Sequence, residues 1–133
     1  MLKEIISITG KPGLYKVLSS QKSMLIVESL IDKKRMPSHS REKIVSLDDI
    51  AIFSDSGEVR LGDVFEKIKE KENAATASID PNADAKDLQA YFAEILPDYD
   101  RDRVYHSNIK KIILWYNLLI QNGLTDFSEK KEE

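Results

Sequence analysis

The stretch Gly10-Lys11-Pro12-Gly13, inside "ISITGKPGLYKV", sets two glycines and a lysine between apolar runs, a composition that could cradle a phosphate. A phosphate loop needs a glycine turn that opens a helix, so that N-terminal N–H groups face the anion, with lysine after the last glycine and Ser or Thr next. Here Leu14 follows Gly13 and a strand-like run continues, so no helix dipole is supplied. Lys11-Pro12-Gly13-Leu14 instead reads as a type II turn, in which proline sets the fixed φ and glycine takes the positive one. Such a turn does not match the twist of a two-residue hairpin, and a wider connection beginning at Gly10 is expected.

A second chemistry is suggested by Asp98, Asp100 and Asp102 in "DYDRDRVYHSNI", spaced like the first, third and fifth ligands of a calcium loop. The sixth position should be glycine and the twelfth glutamate, but they are Arg103 and Ile109. These aspartates are expected to pair with Arg101 and Arg103 or to cap the following helix. Nucleophilic catalysis would need a base beside a serine, and the chain offers only His39 and His106, neither in a hydrolase elbow nor in a metal-binding i, i+4 pair. His39 reads as a loop residue and His106 as a surface or capping group. No carboxylate pair stands in an apolar setting that would split two pKa values for acid-base work, so a non-enzymatic protein without cofactor or metal is expected.

What remains is cationic. Lys33, Lys34 and Arg35 follow the third strand-like run as a hairpin loop, with Lys11, Lys16, Arg41 and Lys43 near in sequence. Residues 1–45 carry nine Lys/Arg against four Asp/Glu, a balance of +5, while residues 46–133 carry eleven against nineteen, a balance of −8. Such asymmetry can mark a polyanion surface. Against it stand a net charge of −3 and few aromatics for stacking among the first strands.

The elements that must position these residues follow from patterning. With 133 residues, 41% hydrophobic and 32% charged, the chain has the composition of a globular protein of one ordinary domain or two small ones. It has no cysteine, in keeping with a reducing compartment, and the cytoplasm is expected. "MLKEIISITG" is too short and too interrupted by Glu4 to read as a signal peptide, and "IILWYNLLI" falls far short of the ~20 residues that span a bilayer.

Five short runs, 4–9, 14–20, 23–30, 43–47 and 50–54, are rich in Ile, Val, Leu, Tyr and Phe and bounded by turn residues. Alternation in "LYKVLSS" is imperfect, and "IAIF" suggests a strand covered on both faces. A helix follows "DSGE" and "EVRL", with Asp63 and Glu66 as a capping-box variant and Leu61, Val64, Phe65 and Ile68 as its apolar stripe. Residues 73–83 read as a linker. Beyond them Leu88, Tyr91, Phe92 and Ile95 predict a helix that Pro97 ends, and a second helix is predicted from about Val104 to Gln121 with Gly123 as its left-handed cap. In that helix Ile109, Ile112, Ile113, Tyr116 and Ile120 form the core stripe, while Trp115, Leu118 and Leu119 extend the apolar surface almost all round. Either the helix is sandwiched within the monomer or part of it meets another chain.

"ISITGKPGLYKV", "MLIVESL", "KIVSLDDIAIF" and "LPDYDRDRVYHSNIKKIILWYN" resemble the corresponding segments of a family of short bacterial proteins in which one domain of unknown function precedes a helical one. The resemblance spans about residues 1–122. It implies a cytosolic protein of two parts and carries over no activity, cofactor or site residue.

The expected architecture is α+β: a small SH3-like antiparallel β-barrel with a closing helix over residues 1–72, a linker over 73–83, a helical hairpin over 84–124 and a flexible tail over 125–133. The expected role is a binding or adaptor protein acting through protein contacts, a protein partner or a second copy meeting Trp115, Leu118 and Leu119. The alternative is an RNA- or DNA-associated protein using Lys11, Lys33, Lys34 and Arg35.

Overall fold

A computed structural model describes residues 4–11, 13–22, 24–39 and 43–127. The expectations for Pro12, Arg41 and the end of the tail, 128–133, lie outside the described residues.

The first strands pair as neighbours in an antiparallel sheet. They are β1 (Ile5–Ile8), β2 (Tyr15–Gln21), β3 (Met24–Ser29), β4 (Arg35–His39) and β5 (Ile44–Ser46), in spatial order β4-β3-β2-β1-β5. A 3-10 turn, Leu47–Asp49, leads to a separate hairpin of β6 (Ala51–Ser54) and β7 (Gly57–Arg60). Three helices complete the chain: α1 (Leu61–Glu72), α2 (Ala85–Ile95) and α3 (His106–Gln121). The fold is thus α+β, with a five-stranded sheet and a two-stranded one; among the described residues no ladder joins β4 to β5 to close a barrel.

The imperfect alternation of "LYKVLSS" has a local cause. Register shifts between Val17, opposite Val27, and Ser19, opposite Ile26, so Leu18 is the extra residue of a bulge and stays exposed. The β1–β2 connection is wide, as its turn chemistry predicts: the Lys11 N–H closes on the Ile8 carbonyl at 3.0 Å, and both Gly10 (φ 85°) and Gly13 (φ 74°) are left-handed. β4 departs from expectation. Arg35 and His39, both expected in loops, instead bound the edge strand of the sheet, where Pro37 opposite Ile26 needs no second ladder partner. His39 therefore ends a strand.

Parity along β1 separates two cores. Ile6 and Ile8 face Tyr15 and Val27 on one side of the sheet, while Ile5, with Leu14, Leu30 and Leu47, joins the helices on the other. That larger core takes Leu61, Val64, Phe65 and Ile68 from α1, Leu88, Tyr91, Phe92 and Ile95 from α2, and Ile109, Ile112, Ile113, Tyr116 and Leu119 from α3. The predicted stripes of α1 and α2 are the buried ones. α1 begins directly after β7, so Asp63 is not its cap but stands in its first turn, 3.8 Å from Arg60 and where the helix dipole favours an anion.

The segments between and after the helices are anchored. The Tyr116 hydroxyl donates to the Ala75 carbonyl at 2.6 Å, Asn117 Oδ1 accepts from the Ala77 N–H at 2.7 Å, and Ile79 packs on the core. Phe127, placed by sequence in the flexible tail, is buried against Phe65 and Tyr116, with ring centroids 5.3 and 6.0 Å away. A lone phenylalanine among polar residues gives no periodic signal, and long-range packing alone decides its place.

Candidate functional site

α3 carries more apolar surface than one partner face can cover. One side of it is core, and the other turns toward the β1–β2 connection. Between them lies a groove of about 760 Å³. Its α3 wall includes Lys110, Lys111, Leu114, Trp115 and Leu118, and its opposite wall Ser7 to Lys11, Gly13 and Ile31. Leu114 and Ile31 are exposed large apolar residues, whereas Trp115 and Leu118 are half-buried and rest on the core. Gly13 closes one end, since a Cβ there would fall 2.5 Å from Ile31 Cδ1 and 3.6 Å from Leu118.

A smaller hollow of about 190 Å³ adjoins on the β6 side, lined by Phe53, Arg103, Ile112 and again Lys111 and Trp115. Lys111 and Trp115 therefore form the ridge between two depressions, with the Lys111 ammonium 5.7 Å from the centre of the Trp115 ring. Cations line both hollows, and among the described residues neither is lined by a carboxylate.

The sequence-derived candidates divide. Trp115 and Leu118 line the groove, but Leu119 is fully buried and cannot meet a partner. Periodicity favours Ile120 over Leu119 for the core, and the helix ending reverses them. The Leu124 N–H bonds the Leu119 carbonyl at 2.9 Å and the Gly123 N–H bonds Ile120 at 3.0 Å, so the chain folds back over Leu119 in a Schellman turn with Gly123 left-handed.

Of the cationic candidates, Lys11 lines the groove and Lys33, Lys34 and Arg35 do not. Lys33, itself left-handed, donates its ammonium to Asn122 Oδ1 just past the C-terminus of α3, where the dipole favours a cation. The Lys34 N–H donates to Asp32 at 3.0 Å, and Arg35 pairs with Glu28, directly opposite in the ladder, at 3.3 Å. Lys110 and Lys111 were missed. Their signal is present in "IKKIILWYN": each stands one turn before an apolar groove residue, Leu114 or Trp115.

The aspartate run is structural. Asp98 accepts from the Ser56 hydroxyl at 2.7 Å and its carbonyl from the Asp55 N–H at 2.7 Å. Asp100 accepts from Arg103 at 2.8 Å and from the Asp102 N–H at 2.9 Å, contacts that hold its carboxyl below the usual range. Arg101 bonds the Pro97 and Tyr99 carbonyls and lies over the Tyr99 ring, and Arg103 lies over Phe53. None of the three aspartates caps α3; Asn108 does so by accepting from the Tyr105 N–H at 2.9 Å. His106 is exposed in the first turn of α3. Among the described residues there is no group of three or more His, Cys, Asp or Glu side chains placed to hold a metal, and no helix long and apolar enough to cross a membrane.

Residues 2–47 match the family described as Domain of unknown function DUF5606, and residues 50–119 match the one described as Domain of unknown function DUF6852. The solution NMR structure of a protein from Bacteroides vulgatus is 56% identical over 96% of this chain and 91% of that one, with a TM-score of 0.79. No curated protein matches the chain. The chain belongs to the DUF6852 family and carries a DUF5606 domain ahead of it. The groove is walled by both matched segments.

Proposed function

We propose that this member of the DUF6852 family is a non-enzymatic binding or adaptor protein that grips a partner protein in the groove between the β1–β2 connection and α3. The observation that carries this is the concave meeting of Trp115, Leu114, Leu118 and Ile31 across two separately matched segments. Large apolar side chains left uncovered in a concavity are where protein partners anchor, and tryptophan is among the residue types enriched at such anchors. The finer expectations belong to the same proposal: an SH3-like barrel, a unit over 1–72 linked through 73–83 to a helical hairpin, and a cytoplasmic site of action.

Nucleic-acid binding through Lys33, Lys34 and Arg35 is the weaker reading, since Lys33 is engaged by Asn122 and Arg35 by Glu28. A photo-crosslinking residue at Leu114, activated in the native cell, tests the choice. A protein adduct that survives nuclease and disappears with Trp115→Ala supports the proposal. An adduct that nuclease abolishes, or none at all, overturns it.

A further inference from the structure

The groove is chemically lopsided in a way that names what it takes. α3 holds no Asp or Glu, although residues 46–133 carry nineteen acidic residues against eleven basic ones, and the β1–β2 connection that faces it belongs to the basic first part of the chain, so neither wall brings carboxylates of its own. The groove contains none among the described residues, and Lys11, Lys110 and Lys111 line it. The adjoining hollow repeats the pattern with Arg103 and Lys111. Among the described residues no carboxylate pairs with Lys110 or Lys111, although ion pairs are frequent elsewhere on the surface.

Charge is only half of the surface. Lys110 stands one turn before Leu114 and Lys111 one turn before Trp115, so along α3 these two apolar contacts are each preceded by a cation at the ~5.4 Å pitch of the helix. A simple anion would leave Leu114, Trp115 and Ile31 in water, and a wholly apolar ligand would cover lysines without compensation. A segment with apolar residues at helical spacing and carboxylates beside them satisfies both. A nucleic acid fits less well, because successive bases stack on successive aromatics and the groove has one.

We propose that the groove binds an acidic amphipathic segment of a partner protein, its apolar side chains seated on Ile31, Leu114 and Trp115 and its carboxylates meeting Lys110 and Lys111. This rests on the binding role proposed above and adds the partner's chemistry to it.

Trp115 is the chain's single tryptophan and sits on the ridge, so its emission reports occupancy directly. The full chain is titrated with three peptides of about 15 residues that share one Leu/Phe stripe at helical spacing and carry Glu, Gln or Lys on the remaining face. A polythymidine oligonucleotide and phosphatidylserine vesicles are titrated alongside. The expected result is a saturable blue shift with the Glu peptide, weakened by salt and about tenfold by the exposed pair Lys110→Gln/Lys111→Gln. Equal affinity for the Gln peptide overturns the acidic partner and leaves the groove as a protein-binding site. No response to any peptide overturns both. Tighter binding of the oligonucleotide or the vesicles, lost with the same two lysines, overturns the proposal in favour of that polyanion.

Discussion

Gly13 and Ile31 touch where no side chain on residue 13 has room: an added Cβ would lie 2.5 Å from Ile31 Cδ1 and 2.9 Å from its Cγ1. Gly10, three residues earlier, is equally left-handed at φ 85° but has nothing within 4 Å of that position. Gly13→Ala and Gly10→Ala should therefore each lower stability by roughly 1–2 kcal/mol through the left-handed backbone alone, read as a shift in the denaturation midpoint. They part in a second measurement. Ile31 is exposed and can turn away, so only Gly13→Ala should move the Ile31 δ1 methyl resonance.

Phe127 supplies a second prediction. Its ring fills the space between Phe65 and Tyr116, and its N–H donates to Glu66 at 3.1 Å while Lys69 holds the Thr125 carbonyl at 2.9 Å. Phe127→Ala leaves a cavity at the meeting of α1 and α3 and should destabilise by about 3–5 kcal/mol in urea, with the slope of the transition unchanged. Phe127→Leu should recover a large part of that loss. If Phe127→Ala unfolds at the same urea concentration as the parent chain, the segment past α3 is not part of the core.

The places where sequence spoke clearly were those where one element carries its own period. Leu61, Val64, Phe65 and Ile68, or Leu88, Tyr91, Phe92 and Ile95, repeat at helical spacing and are buried as that spacing requires. Gly123 announced the end of α3 by local chemistry alone. What sequence hid depends on neighbours distant in the chain. β4 is a strand because β3 offers it an edge, not because "RMPSH" favours one. Leu119 is buried and Ile120 less so because the chain returns over the helix end, which no periodicity records. The candidate site was half legible: Trp115, Leu118 and Lys11 were singled out separately, but nothing in the order of residues says that the turn holding Lys11 faces the helix holding Trp115.

Glu72 ties three elements and makes stability respond to pH. Burial alone would raise its pKa, but the Ser78 N–H and hydroxyl, each at 2.9 Å, and the Tyr91 hydroxyl at 2.5 Å together hold it below the ordinary glutamate value. A carboxyl depressed on folding contributes stability above its unfolded pKa and loses it as pH falls through the folded value, so the loss sets in below about pH 4.5. Glu72→Gln should lower the neutral-pH midpoint and flatten this acid limb. At the other extreme, burial and the nearby charge of Glu72 push the Tyr116 hydroxyl up to about 12. A raised tyrosine contributes stability below its unfolded pKa and loses it as pH rises from about 10 to 12, an alkaline limb that Tyr116→Phe should reduce but not abolish, because burial and Glu72 raise the Tyr91 hydroxyl as well.

Asn122 and Lys33 distinguish a structural lysine from a binding one. Asn122 Nδ2 donates to the Leu30 carbonyl at 3.1 Å and the Leu118 carbonyl at 2.8 Å, and its Oδ1 accepts from the Lys33 ammonium. It thereby pins the β3–β4 turn to the end of α3. Asn122→Ala strips all three bonds and should destabilise by about 1–3 kcal/mol, because two carbonyls lose donors that water replaces only in part. Lys33→Ala removes one exposed contact with the helix end and should change stability by about 0.5 kcal/mol or less. Since the lysine acts through the asparagine, the double variant should match Asn122→Ala alone, and urea denaturation of the full cycle reads that non-additivity. Were the two effects simply to add, Lys33 would owe nothing to Asn122, and the case for freeing it to meet a phosphate backbone would strengthen accordingly.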